Sequence, residues 1–483
     1  MSDTKMNQKE ILDPATGEVL VAGSEPYIDP DIENAAVKKF DRYVLPQILI
    51  LVLLSYLDRS NIGNARVFGF EEGLHLQGIE FNNISTMFFV TYVTCEIPWV
   101  MAVKRWGANV VLALAVIAWS ILTIGMGFVK NYHQAIALRL LLGAAEAGLY
   151  PGLVFLISTI YQRSQQAKRV SILPLSAAIS GAFGGLIAYG IQSMGDKAGL
   201  SPWRWLFIIE GVVSVVIGGV ALFTLPKTAE SAWFLNEEEK AVMRAIKLRE
   251  AAYKGPDKFE WKYMTMAFTD PFVYVAAILS LCGGITLFGF NTFLPTILKG
   301  LGYKGLEPNY YSIPCYVVGT LTLLLWTSLS DRLEKRALFL FIAPIPAIIG
   351  YSIVLGTSNG AVGYFAMFMC AAGIYPCNAL IITWVNNNLA PDHKRSIGMP
   401  LFLSISNISG IVSSQIYPGW DGPRYIIGNS CSVAAACSIS MLTVVVWFLL
   451  RRRDQKKEKM IAEGVAENGY EGEDRGLNFR YKL

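Results

Sequence analysis

Charge is what this sequence has least of. Lys, Arg, Asp and Glu make up 16% of its 483 residues, against roughly 25% in soluble domains. Histidine is nearly absent: His75, His133 and His393 are the three copies, all at loops or helix ends and none spaced from another as metal ligands would be. That removes the usual equipment of a membrane-embedded enzyme. The GxxxxGK[ST] loop that cradles nucleotide phosphates is missing, which argues against an ATP-driven pump. The seven cysteines are odd in number, contain no CxxC pair and fall in or beside apolar runs. They read as small buried residues rather than disulfide partners or metal ligands. Nothing resembles a repeated selectivity filter, which disfavours a channel. No cofactor and no nucleic-acid partner is expected. No cleavable signal peptide is expected either; the first 40 residues are polar, carry Pro14, Pro26 and Pro30, and read as a disordered tail.

What fills the space left by charge is hydrocarbon. The apolar fraction is 53% and the mean hydropathy +0.42. Apolar runs of about 20 residues, enough to cross a ~30 Å hydrocarbon core as helices, recur along the chain. Twelve such spans are expected, at 44–66, 83–103, 109–129, 133–161, 171–194, 205–225, 272–298, 310–330, 337–356, 361–388, 397–418 and 426–450. The expected fold class is therefore an all-α polytopic membrane protein. It divides into a tail (1–40), a six-helix half (41–226), a hydrophilic linker (227–270), a second six-helix half (271–450) and a basic-then-acidic tail (451–483). Within the linker, NEEEKAVMRAIKLREA places Asn236 as an N-cap, acids in the first turn and bases later, which predicts a short helix matched to its dipole. With the N-terminus inside, inner loops and tail flanks hold 27 Lys and Arg against 7 in outer loops. The positive-inside rule then puts both termini and the linker in the cytoplasm.

The chain repeats itself. AGLYP at 147–151 returns as AGIYP at 372–376, and KRVSILP beginning at Lys168 returns as KRSIGMP beginning at Lys394. The spacing equals one six-helix half, so each echo runs from span four or ten through a basic loop into the next span. Two halves in the same orientation are a parallel repeat, and in such transporters the substrate site lies near the midplane between them. The copies differ in one place: Glu146 in the first faces Ala371 in the second.

Ionisable groups within spans cost about 2.5 kcal/mol or more, so each is a functional candidate. Asp58 and Arg59 lie in span one, Arg139 and Glu146 in span four. Arg139 and Glu146 are seven residues apart, on one helical face but about 10 Å apart along the axis, too far to pair with each other. Pairing across to Asp58 and Arg59 is expected. With both acids ionised the four sum to zero; protonation makes the site positive and recruits an organic anion. Asp58 and Glu146 are thus the candidate proton carriers, and Arg59 and Arg139 the candidate anion ligands, since a guanidinium accepts a carboxylate bidentately. The bland alternative is a tetrad that merely holds two helices. Glu96 and Glu210 lie near span ends and read as packing or gate residues. Asp331 and Arg332 in LSDRLEKR read as an inner-gate ion pair. Tyr56 and Tyr92 are candidate cavity residues. The second half offers neutral polar groups instead, with Trp384, Asn387 and Asn407 as candidates to shape the uncharged part of the pocket.

The strings FDRYVLP, YLDRSNIGNA, FFVTYVTCEIP, RLLLGAAEAGLYPG and WRWLFIIEG, with AGIYP and WVNNN in span ten, are also those of a known family. Residues from about 40 to 450 resemble the major facilitator superfamily, and more narrowly its anion:cation symporter family, in the fungal allantoate permease branch. The resemblance implies the major facilitator fold. It implies that Asp58, Arg59, Arg139 and Glu146 serve anion recognition and proton coupling, with Tyr56 and Tyr92 lining the cavity. The superfamily's loop motif between spans two and three is degraded here to VKRWG, whereas SDRLEKR keeps its Asp in the second half. Expected partners are a small organic anion such as nicotinate, pantothenate or allantoate, protons and the lipid bilayer, for a monomer in the plasma membrane or, alternatively, the endoplasmic reticulum. An exchange or facilitative carrier, or a nutrient transceptor, is the competing reading; a membrane enzyme is a remote one.

Overall fold

The computed structural model describes residues 10–12, 19–21, 29–170, 172–254, 261–390, 392–465 and 474–482. Most of the expected first tail, residues 255–260 of the linker and the side chain of Lys168 lie outside the described residues. Among the described residues, twelve helices are long and apolar enough to cross a membrane. Spans one to three are Leu45–Val67, Glu80–Trp106 and Ala108–Met126; spans five to eight are Ile172–Ser193, Pro202–Thr224, Pro271–Gly300 and Glu307–Leu333; span ten is Gly360–Asn388 and span twelve Ile426–Ala462. Spans four, nine and eleven are interrupted, as Tyr132–Glu146 with Leu149–Ile160, Arg336–Ile342 with Ile345–Gly356, and Asp392–Asn407 with Ser409–Gln415. The break in span four follows Glu146 directly. Pro151 has no N–H to offer the carbonyl of Ala147, so the helical ladder opens there.

Both described ends of the chain and the linker lie on one face of the bundle, called here the terminal face; the opposite is the distal face. Two corrections to the tails follow. The expected disorder of residues 1–40 does not extend to its last third, because Pro30–Tyr43 forms a helix capped by Asp29. Its apolar side, Ala36, Val37 and Phe40, is buried, with Phe40 against Phe234 and Tyr161. Residues 10–12 and 19–21 pair as short antiparallel strands. At the other end, span twelve continues as a helix to Ala462, and residues 474–482 fold back under the second half. In the linker, Asn236 and Glu239 cap the helix Glu237–Lys254 reciprocally, at 2.8 and 2.9 Å.

The fold-back strap is held by a buried charge network. Lys394, from the second basic loop, contacts Asp270 at 2.5 Å and Asp474 at 2.8 Å, and Arg453 donates to Asp270 at 2.6 Å. Burial pushes the Asp270 carboxyl up, but the hydrogen bond from Arg453 and the charge of Lys394 outweigh it and hold it below the ordinary range. Asp474 goes the other way: burial dominates, Arg453 stands 3.8 Å off, and one oxygen has no partner. A depressed acid stabilises fully above its ordinary pKa and loses that contribution as pH falls below it. Asp270→Asn, which keeps the cap on Phe272 N, is therefore expected to cost about 3–5 kcal/mol. Asp474→Asn is expected to cost less than half as much. Thermal unfolding of the detergent-purified variants measures both; equal losses would show that the two acids carry the network alike.

The halves meet chiefly on the distal side. Asn82 of span two donates to the carbonyls of Ser414 at 2.6 Å and Tyr417 at 3.2 Å, and Gln415 donates to Thr86 at 2.7 Å. Span one lies against span seven so closely that a Cβ on Gly63 would overlap the carbonyl oxygen of Thr292. Among the described residues, the hydrogen bonds between the halves that lie away from the distal side are those to Glu96.

Candidate functional site

Spans one and four run antiparallel in register with each other, and that register builds two polar layers. The deeper layer joins Ser55 and Arg59 to Glu146. One Glu146 oxygen accepts from Arg59 Nε at 2.6 Å and from the Ser55 hydroxyl. The Glu146 side chain is 0% exposed and that of Arg59 11%. The Arg59 guanidinium also lies over three rings, 4.5 Å from the centroid of Tyr92, 5.2 Å from Tyr56 and 5.7 Å from Phe88. This aromatic cage holds the cation by its π faces.

The second layer is nearer the distal face. Asp58 accepts from Thr123 of span three at 2.9 Å. Arg139 is buried with its guanidinium 5.7 Å from the Phe207 ring centroid, and Asp58, Glu146 and Glu210 are within its electrostatic reach. Five buried polar atoms of this cluster lack a hydrogen-bond partner: Asp58 Oδ2, Arg139 Nε and Nη2, Glu146 Oε2 and Glu210 Oε1. Three acids thus surround two arginines, and both signs keep unused capacity. Uncompensated charge at such depth is costly, and with all five groups ionised the cluster carries one negative charge in excess.

The expected tetrad of Asp58, Arg59, Arg139 and Glu146 is brought together, with Tyr56 and Tyr92 beside it. Glu210 joins it, although its expected place near the end of span six reads as a packing or gate position. Depth was the available signal: Glu210 is eight residues from the distal end of its span and Arg139 seven from that of its own. Three expected contributors of the second half sit elsewhere. The Trp384 indole donates to the carbonyl of Lys482 at 2.7 Å, so this ring anchors the strap. Asn387 lies three residues further towards the terminal face, beside Asn388, which also binds Lys482 at 3.1 Å. Asn407 reaches across the halves to Glu96 at 3.4 Å, with Ser404 at 3.2 Å, so it answers an acid of span two rather than open space. Among the polar groups that the second half does place inside the bundle is Asn291. It accepts from Tyr375, the tyrosine of AGIYP, and its carbonyl accepts from Tyr316 at 3.3 Å. Asp331 pairs with Arg336 at 3.0 Å and not with Arg332, which is exposed. Being 65% exposed, Asp331 forms a surface pair of small energetic weight.

Twelve spans around a buried, incompletely paired charge cluster define a membrane transport protein, not an enzyme. The family model described as Major Facilitator Superfamily matches residues 48–414. The chain belongs to that superfamily. It is 40% identical to an uncharacterized transporter of Schizosaccharomyces pombe over 94% of this chain and 91% of the relative. It is 33% identical to the high-affinity nicotinic acid transporter of Saccharomyces cerevisiae over 89% of this chain and 80% of the relative. Among solved structures, a bacterial homolog of the human lysosomal transporter Spinster, inward-facing, aligns with a TM-score of 0.66 at 16% identity, covering 85% of this chain and 97% of that one. The D-xylose-proton symporter aligns at 0.65 with 14% identity, covering 84% of this chain and 97% of that one.

Proposed function

We propose that this chain is a proton-coupled symporter of a small organic anion, working by alternating access with its terminal face in the cytoplasm. The observation that carries the proposal is the cluster of three buried acids around the buried Arg139 and the largely buried Arg59, with acid oxygens and Arg139 nitrogens left unpaired. A proton on Glu146 weakens its claim on Arg59. The freed guanidinium then takes the substrate carboxylate, so proton and anion travel together. The cage of Tyr56, Tyr92 and Phe88 favours a carboxylate on a flat ring, and the nicotinic acid transporter among the relatives supports that class.

The halves 41–226 and 271–450 act as two rocking units, with spans one, two, seven and eleven forming the distal closure seen here. Glu96, held by Ser404 and Asn407, senses the approach of the halves from the other side of the cluster. The 27-to-7 distribution of basic residues supports the orientation. In this reading the protein works as a monomer in the plasma membrane, the site that nutrient uptake calls for.

Uptake of labelled nicotinate and other organic anions in a host lacking its own permeases tests this reading. An acidic outside medium is expected to raise uptake, and an ionophore that collapses the proton gradient to remove accumulation. Accumulation that survives the ionophore would favour an exchanger; uptake that never exceeds equilibrium would favour a facilitative carrier.

A further inference from the structure

A second charged cavity lies far from the central cluster, at the distal face, with a volume of about 310 Å³. Its walls come from both halves: Arg66 and Glu71 from the first, Thr296, Lys299, Gly419 and Tyr425 from the second. Arg66 is 5% exposed and firmly held. Its Nε meets Glu71 at 2.9 Å, and its guanidinium lies 4.4 Å from the ring centroid of Phe81 and 5.7 Å from that of Phe293. Yet Arg66 Nη1 is buried without a hydrogen-bond partner, and so is the Thr296 hydroxyl. Both residues line the same cavity, and the exposed Lys299 is part of its lining. The nearby acid Asp421 is engaged elsewhere, accepting from Ile427 N at 2.7 Å. At Gly419 a Cβ would come within 3.3 Å of Arg66 Nη2, so the glycine leaves the guanidinium approachable.

Two cations, one partnered acid and a hydroxyl around a solvent-sized space are a donor-rich, net positive lining. A buried charged donor without a partner is costly, and an anion restores the bond. We infer that this cavity is a binding site for a small oxyanion, a carboxylate or a phosphate, distinct from the central site. One oxygen lies between Arg66 Nη1 and the Thr296 hydroxyl, and the charge is shared with Lys299. Because span one and the turn after it line one side, and span seven with the loop before span twelve the other, the site is complete only when the distal ends are together. An anion bound there stabilises this arrangement over the opened one.

The test uses the purified full chain in detergent and reads acylation of Lys299 by an amine-reactive ester, peptide by peptide, in a mass spectrometer. Acetate and phosphate are titrated separately at fixed pH, with sodium chloride holding ionic strength constant. Lys304, exposed in the same distal loop, is the internal reference. A saturable slowing of Lys299 of about threefold or more, with Lys304 unchanged, is expected from one or both anions, and the anion that protects identifies the headgroup chemistry. In Thr296→Val the protecting concentration should rise about fivefold, the value of one hydrogen bond, while Glu146→Gln should protect like wild type. Protection by neither anion, equal slowing of Lys304, undiminished protection in Thr296→Val, or its loss in Glu146→Gln would each overturn the assignment.

Discussion

Glu146→Gln is expected to lose accumulation of substrate against a gradient while keeping counterflow exchange. The amide keeps the size of the acid and can still accept from Ser55 and Arg59, so the layer stays packed. It can no longer take up or release a proton. Coupling then vanishes, and proton-driven uptake should fall by about 30-fold, equivalent to about 2 kcal/mol and within the usual 1–3 kcal/mol of linkage between two ligands. Exchange of labelled for unlabelled substrate needs no net proton movement and should persist within a fewfold. Glu210→Gln and Asp58→Asn separate the three acids: the one whose neutral variant retains exchange but not accumulation carries the proton. A Glu146→Gln protein that concentrates substrate like wild type would sink the assignment.

Gly63→Ala should stop transport almost completely without unfolding the protein. The added methyl has no room, because it meets a backbone oxygen of span seven rather than a side chain that can turn away. Spans one and seven must then stay apart at the distal face. Transport is expected to fall tenfold or more, roughly 1.4 kcal/mol or more against the closed arrangement. A cysteine placed at Thr296 should be labelled correspondingly faster from the distal side. The variant should elute from size exclusion as wild type does. If Gly63→Ala transports normally, the close approach of spans one and seven is not an obligatory step.

The spans, the repeat and the tetrad were legible because each rests on a local rule: run length, register, and the cost of charge in hydrocarbon. Asp58 and Glu146 stand out in sequence because each is an acid well inside an expected span. Trp384 and Asn387 misled for the same reason. A tryptophan and asparagines in an apolar span suggest a pocket, but Trp384 and the neighbouring Asn388 donate to the carbonyl of Lys482, 98 residues beyond Trp384. No periodicity links such distant groups. Glu210 reads as a span-end residue when its own span is taken alone. Its role depends on Arg139, which shares its depth two spans earlier. Pro30–Tyr43 was hidden by its polar residues; its apolar stripe is short and finds its cover on the linker.

The strap also orders events during synthesis. Asp270 opens the second half, Lys394 arrives 124 residues later, and Asp474 a further 80. Until the ribosome has made residue 474, Lys394 lacks its second acid, and the carbonyl that receives Trp384 does not exist. The contacts that seal the terminal face of the second half are therefore the last of its contacts that can form. The sealing step reports that translation has passed through the strap.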